Sequence, residues 1–335
     1  MEKPDFKKRG VYMNNKYIGN KMQLFDVREY KFTGGKAEGT RAIDIWNGAN
    51  LHFTILPDRC LDLFTVRYKN KNMAFHTPNG VVNPAYYNEL GNVWLRSFGG
   101  GFMTTCGLKN YGGADGTNPE LTFHGRMSNT PCEQLSIEIP EDGDTVTISG
   151  IMREAIIFGS NMSLKRTITC KYGEDKIYVK DIIKNEGFTD THLSLLYHFN
   201  LGYPLMSENS KIVIPSVKCH PFSAHAKECP NDWNFFEKPQ DTFDEMLFEH
   251  ELSDKYFGID NPDINTSLRV NYLSPALTNF LEWKACQSGT YVCGLEPMTA
   301  TNSGFKANVE NGTQKYLKAQ EKIVNTFEIC FSDLD

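Results

Sequence analysis

The chain has 335 residues, of which 40% are hydrophobic and 23% charged, and its formal net charge is −6. That composition is close to the globular average and excludes disordered or collagenous classes. The length allows one large β domain or two ordinary ones. An acidic chain without a basic stripe argues against a nucleic-acid partner, because phosphate binding needs clustered cations to release counterions.

No run approaches the roughly 20 apolar residues of a membrane helix. The basic residues of the N-terminal stretch Met1 to Lys8 have no apolar run behind them, so no secretory signal and no membrane partner are expected. The nine cysteines are an odd number with no Cys-x-x-Cys pair, which fits reduced thiols in a cytoplasmic protein. In that setting the Asn-x-Ser/Thr triplets at Asn161, Asn265 and Asn311 carry no glycosylation meaning.

In chain order, a short helical turn is expected near Ala85 to Leu95. Period-two alternation then predicts strands from Asp144 to Ile151, Ser163 to Cys170, Lys176 to Ile183 and His192 to Leu201. Gly159-Ser160-Asn161, Gly173-Glu174-Asp175 and Asn185-Glu186-Gly187 supply the turn chemistry between them. A further strand is expected at Lys211 to Val217. Cys219 to Glu251 reads as an extended loop excursion, with a helical turn near Asp241 to His250. The last predicted strands are Asn279 to Ala285, Thr290 to Glu296 and Ile323 to Ser332. Many strands separated by turns, with helical periodicity rare and no linker or repeat, predict an all-β antiparallel sandwich or barrel, taken as a single domain over 1–335.

Three segments carry candidate chemistry. In His192 to Leu201, alternation places Leu193, Leu195, Tyr197, Phe199 and Leu201 on one face and His192, Ser194, Leu196, His198 and Asn200 on the other. A histidine on the mixed face can exchange protons near neutral pH, although a structural histidine is the ordinary reading of one strand alone. In Thr290 to Pro297, Val292, Gly294 and Glu296 share a face, and Gly294 leaves room beside the carboxylate for close approach. The bland alternative there is an exposed strand-end glutamate. The third segment, Trp94 to Leu108 followed by Phe123-His124-Gly125-Arg126, holds three consecutive glycines but no dinucleotide fingerprint. Its Arg96 and His124 suit sugar hydroxyls or a carboxylate, with surface pairing as the default.

Cys219-His220, His225 and Cys229 could in principle ligate zinc, but the spacing matches no standard finger and no metal is expected. Trp233, Phe235 and Phe236 could form a sugar-stacking wall or pack in the core.

Tyr197-His198-Phe199-Asn200-Leu201 resembles the His-x-Phe-Asn-Leu strand of the aldose 1-epimerase (galactose mutarotase-like) superfamily, with the intervening residue absent. Gly294-Leu295-Glu296-Pro297 resembles that family's later Leu-Glu-Pro segment, and His124-Gly125 its upstream His-Gly element. Arg96 stands 28 positions before His124, where the family places a sugar-binding arginine. The stretches Leu56 to Leu63 and Gly113-Ala114-Asp115 look like a less characterised branch of these proteins.

The resemblance implies a large antiparallel β-supersandwich with few short helices, holding a pyranose in a broad cleft. It also implies a reaction: exchange of α and β anomers by ring opening and reclosure, with Glu296 as base and His198 as acid. His124 would orient the sugar or share protonation at the ring oxygen, while Arg96 and Arg59 would hold hydroxyls. A small-molecule sugar is the expected partner, and no cofactor is required. Two alternatives stay open: an isomerase or C-epimerase of a modified or acidic sugar, for which Arg59, Arg96 and Arg126 would suit a negative substituent, and a non-catalytic carbohydrate-binding protein.

Overall fold

The computed structural model describes residues 16–116, 118–139 and 144–334. The basic stretch Met1 to Lys8 lies outside them. The clearest sequence alternation becomes long antiparallel hairpins: Thr145–Ala155 pairs with Asn161–Lys171, which pairs with Lys176–Asn185, which pairs with Lys322–Ser332. Along these strands roughly every second residue is buried, as a sheet with one face on a core requires. They belong to an eight-stranded sheet.

A second sheet of eleven strands packs against the same core. Five of its strands precede residue 73: Asp26–Lys31, Arg41–Trp46, Leu51–Leu56, Asp62–Tyr68 and the short Lys71–Asn72. From Asp62–Tyr68 the order continues through Met103–Cys106, Leu196–Gly202, Thr290–Met298, Asn279–Gln287, Met246–Leu252 and Ser216–Pro221. A two-stranded sheet completes the set among the described residues, whose strand pairs are all antiparallel. The all-β sandwich architecture agrees with the sequence expectation, as do the 3₁₀ turns Pro84–Tyr86 and Gly91–Arg96 at the helical turn predicted near Ala85 to Leu95.

Three expectations are corrected. The helical turn near Asp241 to His250 is a strand, Met246–Leu252, in which Met246, Phe248 and His250 are buried in alternation against the sheet. The excursion from Cys219 to Glu251 is more ordered than a loop. It finishes the strand Ser216–Pro221, runs through the helix Ala224–Glu228 and the 3₁₀ turn Asp232–Asn234, and returns to pair with its own start. The single strand from His192 to Leu201 is two, Thr191–Leu193 and Leu196–Gly202. Between them Ser194 N–H donates to Leu108 O and Leu195 N–H to Thr299 Oγ1, so the chain leaves one ladder and enters another.

The centre of the eleven-stranded sheet differs from a one-faced sheet. Every residue of Met103–Cys106 and Leu196–Gly202 is buried, as are the last seven of Thr290–Met298. One face lies on the core. The other is covered by the turn Gly91–Arg96, the residues just beyond it and the segment after Met103–Cys106, from which Trp94, Phe98 and His124 reach over the strands. Among the described residues no helix is long and apolar enough to cross a membrane.

Candidate active site

Register puts two of the candidate residues side by side. Leu196 pairs with Met298 and Phe199 with Leu295, so His198 stands opposite Glu296 on the neighbouring strand. Glu296 in turn pairs with Leu281, and Gly294 with Trp283, on the next strand. Cross-strand partners point to one face, so His198, Glu296, Leu281 and Trp283 form a continuous floor.

His198 Nε2 lies 3.1 Å from Glu296 Oε1, both side chains being almost wholly buried. The approach lacks hydrogen-bond alignment, and Glu296 Oε1, His198 Nδ1 and Asn200 Oδ1 are buried polar atoms without a hydrogen-bond partner. Such atoms are rare in folded proteins and mark places where a ligand or water would be bound. Gly294 matters here because a side chain at this position would collide with the Glu296 carboxylate and come within 3.1 Å of His198 Cε1.

Burial, and secondarily the neighbouring His124, pushes the His198 pKa well below the usual 6.5, against a smaller opposing pull from Asn200. Burial, and then the negative field of Glu245, raises Glu296 well above 4.5. Burial thus works against the charge-separated form, an ionised glutamate beside a protonated histidine. Desolvation favours the uncharged tautomer, with the proton on Glu296. The two descriptions hold the same number of protons, one on the pair.

His124 comes from the covering segment, in a left-handed conformation at φ 52°. Its ring packs on Trp94 at 4.7 Å and edge-on to His198 at 5.9 Å. Gly112 N–H donates to His124 Nδ1 at 3.4 Å, and burial lowers the ring's pKa to about 4. The neutral ring then carries its proton on Nε2, as a donor.

His124, His198 and Glu296 line one cavity of about 960 Å³, together with Trp94, Phe98, Trp283, Glu245 and Asn302 among others. The sequence reading missed Trp283, Glu245 and Asn302. Trp283 falls on a predicted strand, and its place two residues beyond Leu281 on the same face is the signal that could have found it. Its Nε1–H donates to Glu245 Oε2 at 2.7 Å. Trp233, Phe235 and Phe236 do not line the cavity. Phe236 is in the core, Phe235 is exposed and Trp233 packs on His250.

The arginines go elsewhere. Arg59 is buried with its guanidinium on the carbonyls of Ser128 and Val82, and burial lowers its pKa to about 10. It lines a different, smaller cavity of about 310 Å³. Arg96 is exposed at the end of its 3₁₀ turn, outside the lining. Arg126 is paired with Glu89 at 2.7 Å. Among the described residues no arginine or lysine lines the cavity of His198 and Glu296.

The residues weighed for zinc are engaged otherwise: His220 contacts Glu251 at 2.7 Å and His225 the carbonyl of Asp244 at 2.7 Å. Among the described residues no group of three or more His, Cys, Asp or Glu side chains is arranged to hold a metal ion. A larger groove of about 1300 Å³ lies elsewhere, lined by residues such as Thr167, Tyr178 and Tyr256, and holds no histidine among the described residues.

With this geometry in place, comparison with known proteins gives a family. A family model described as "Domain of unknown function (DUF4432)" matches residues 37–330. The chain belongs to that family. No curated protein matches it. Among solved structures, a "putative aldose 1-epimerase" from Klebsiella pneumoniae superposes with a TM-score of 0.87 at 22% identity, over 93% of this chain and 86% of that one. A galactose mutarotase-like protein from Clostridium acetobutylicum follows at 0.65 and 13% identity, over 93% and 100%. Galactose 1-epimerase from Lactobacillus acidophilus gives 0.63 at 12%, over 93% and 100%. At these identities the likeness establishes the galactose mutarotase-like fold for this family member.

Proposed function

We propose that this protein is a carbohydrate-active epimerase that interconverts the α and β anomers of an aldose, a cytoplasmic mutarotase working as one galactose mutarotase-like domain. The observation that carries the reading is the facing pair His198 and Glu296, 3.1 Å apart, on the floor of a cleft with His124 against it. Two of the structurally similar proteins bear the names "putative aldose 1-epimerase" and galactose 1-epimerase, which supports the choice of reaction.

Anomer exchange needs one proton taken from the C1 hydroxyl and one given to the ring oxygen. The C1–O5 bond then breaks, the open-chain aldehyde rotates about C1–C2, and the ring closes on the other face with the proton movements reversed. A pair holding one proton suits this balance. A sugar hydroxyl donated to the unpartnered Glu296 Oε1 stabilises the carboxylate and moves the shared proton to His198, which makes Glu296 the base and His198 the acid at the moment of reaction. His124 remains a neutral donor, orienting the ring oxygen or a hydroxyl through its Nε2–H.

The position of Arg59, Arg96 and Arg126 weakens the acidic-sugar alternative, since none lines the cavity. A non-catalytic binder is separated from a catalyst by mutation. NMR of anomer exchange with α-glucose, α-galactose and α-xylose should show relaxation faster than in buffer. Glu296→Gln and His198→Ala should each lose at least about a hundredfold in rate, the usual scale of general acid-base catalysis, with circular dichroism unchanged. Relaxation of every sugar at the buffer rate would overturn the mutarotase reading.

A further inference from the structure

We propose that the preferred substrate is an uncharged sugar whose carbon beyond the ring carries no hydroxyl, a 6-deoxyhexose. This rests on the proposed function for the orientation of the sugar and on the cavity itself for the preference.

The polar side chains of the cavity can be assigned one by one. His198, Glu296 and His124 serve the C1 hydroxyl and the ring oxygen. Glu245 and Asn302 remain for the ring hydroxyls at C2 to C4, and one carboxylate oxygen of Glu245 already accepts from Trp283 Nε1. Among the described lining residues no further polar side chain is left for a hydroxyl at C6.

In a pyranose the substituent on C5 lies beside the ring oxygen, so it reaches the surface next to the acid-base pair. That surface is largely apolar, and Glu249, the other cross-strand partner of Leu281, accepts from the backbone N–H of Asn302. Leu281 pairs directly with Glu296, Leu247 pairs with Trp283, and Leu196 lies two residues before His198 on the same face. All three line the cavity, with Phe222 beside Leu247, whose carbonyl accepts from Phe222 N–H. A methyl group there gains apolar contact, whereas a hydroxyl loses water without gaining a partner. A phosphate or carboxylate at C6 would meet two glutamates, Glu245 and Glu296, and no arginine or lysine among the described residues.

The test is a matched set: D-glucose and 6-deoxy-D-glucose, D-galactose and 6-deoxy-D-galactose, with D-glucose 6-phosphate as the charged control. Binding is read from quenching of tryptophan fluorescence, to which Trp94 and Trp283 report, and anomer exchange from NMR. Each 6-deoxy sugar should bind about tenfold tighter than its parent, the scale of one hydroxyl left without a partner, and the phosphate should not bind. Leu247→Ser, which offers a hydroxyl from a half-buried position, should narrow the ratio.

Parents that bind as tightly as their 6-deoxy forms, no binding by any of the four neutral sugars, or tight binding of the phosphate would overturn the proposal. If the 6-deoxy preference holds in binding while no sugar exchanges anomers faster than in buffer, the preference stands and the mutarotase reading falls. If all four exchange at equal efficiency, the reverse holds.

Discussion

At the scale of single residues, the site is governed by the cost of burying charge. His198 is held below its ordinary pKa and Glu296 above, so the pair keeps one proton over a wide pH range. Gaining a second proton requires protonating a depressed histidine, which places the acid limb of kcat/KM below pH 6.5. Losing the only proton requires ionising a raised glutamate, which sets the alkaline limb. Glu245 contributes to that rise, so Glu245→Gln should move the alkaline limb to lower pH. A limb that stays in place or moves up would refute the assignment.

His124 leads to a second residue-scale prediction, this time of stability. Its pKa is about 4 in the fold and near 6.5 in the unfolded chain. Below pH 6.5 the unfolded state takes up a proton that the native state refuses, so wild-type stability drains away between about 6.5 and 4. His124→Gln lacks that loss. Relative to wild type it should gain stability as pH falls through this window, by up to about 1.4 kcal/mol per pH unit. Urea unfolding at pH 7.5 and 5.5 measures the gap, and a gap independent of pH would show that burial of the neutral imidazole is not its source.

At the scale of elements, what the sequence revealed follows from burial. Strands with one face on the core and one toward water, such as Thr145–Ala155 and Lys176–Asn185, write period two into their residues and were legible. The strands before residue 73 were not: Asp26–Lys31 is an edge strand with little burial, while Leu51–Leu56 is buried almost throughout, and neither alternates cleanly. The excursion around Met246–Leu252 was misread because its acids and aromatics hide the alternation of Met246, Phe248 and His250. Strand faces offered His198 and Glu296 as candidates, but their pairing depends on register between segments almost a hundred residues apart, which only the ordered resemblance to a known family hinted at. Arg59 and Arg96 were plausible by chemistry, yet nothing local tells that one turns inward to carbonyls and the other outward to solvent.

The glutamate strand also yields an element-scale prediction. Gly294 faces the site between two side chains that leave no room for a Cβ. Gly294→Ala should push the Glu296 carboxylate and the His198 ring apart, because the sheet backbone on both sides is locked in ladders and cannot give way. Misplacement by about 1 Å can cost on the order of a hundredfold in rate. Stability should fall by only about 1–3 kcal/mol, the usual cost of overpacking. Activity within a factor of two of wild type would show that the geometry at this position is not needed.

At the scale of the whole molecule, the two sheets share more than an apolar core. Arg166, from the eight-stranded sheet, is fully buried and binds Asp181 on the neighbouring strand of its own sheet and Asp62 of the eleven-stranded sheet, each at 2.6 Å. It also donates to Thr105 Oγ1 at 2.9 Å, while Tyr197 O–H donates to Asp181 at 2.7 Å. Thr105 and Tyr197 immediately adjoin Thr104 and His198, and Thr104 pairs with His198 across the strands. The network therefore holds the underside of the two strands that carry the histidine end of the site.

A buried cation between two carboxylates is expensive to disrupt from one side. Arg166→Met leaves Asp62 and Asp181 buried without their partner and should cost about 3–5 kcal/mol in urea unfolding. Adding Asp62→Asn and Asp181→Asn removes the stranded charges, and the triple variant should recover part of that loss. If the charges rather than the side-chain volume hold the sheets together, the single variant must be the least stable of the series. A triple variant less stable than Arg166→Met would mean instead that each member contributes packing of its own.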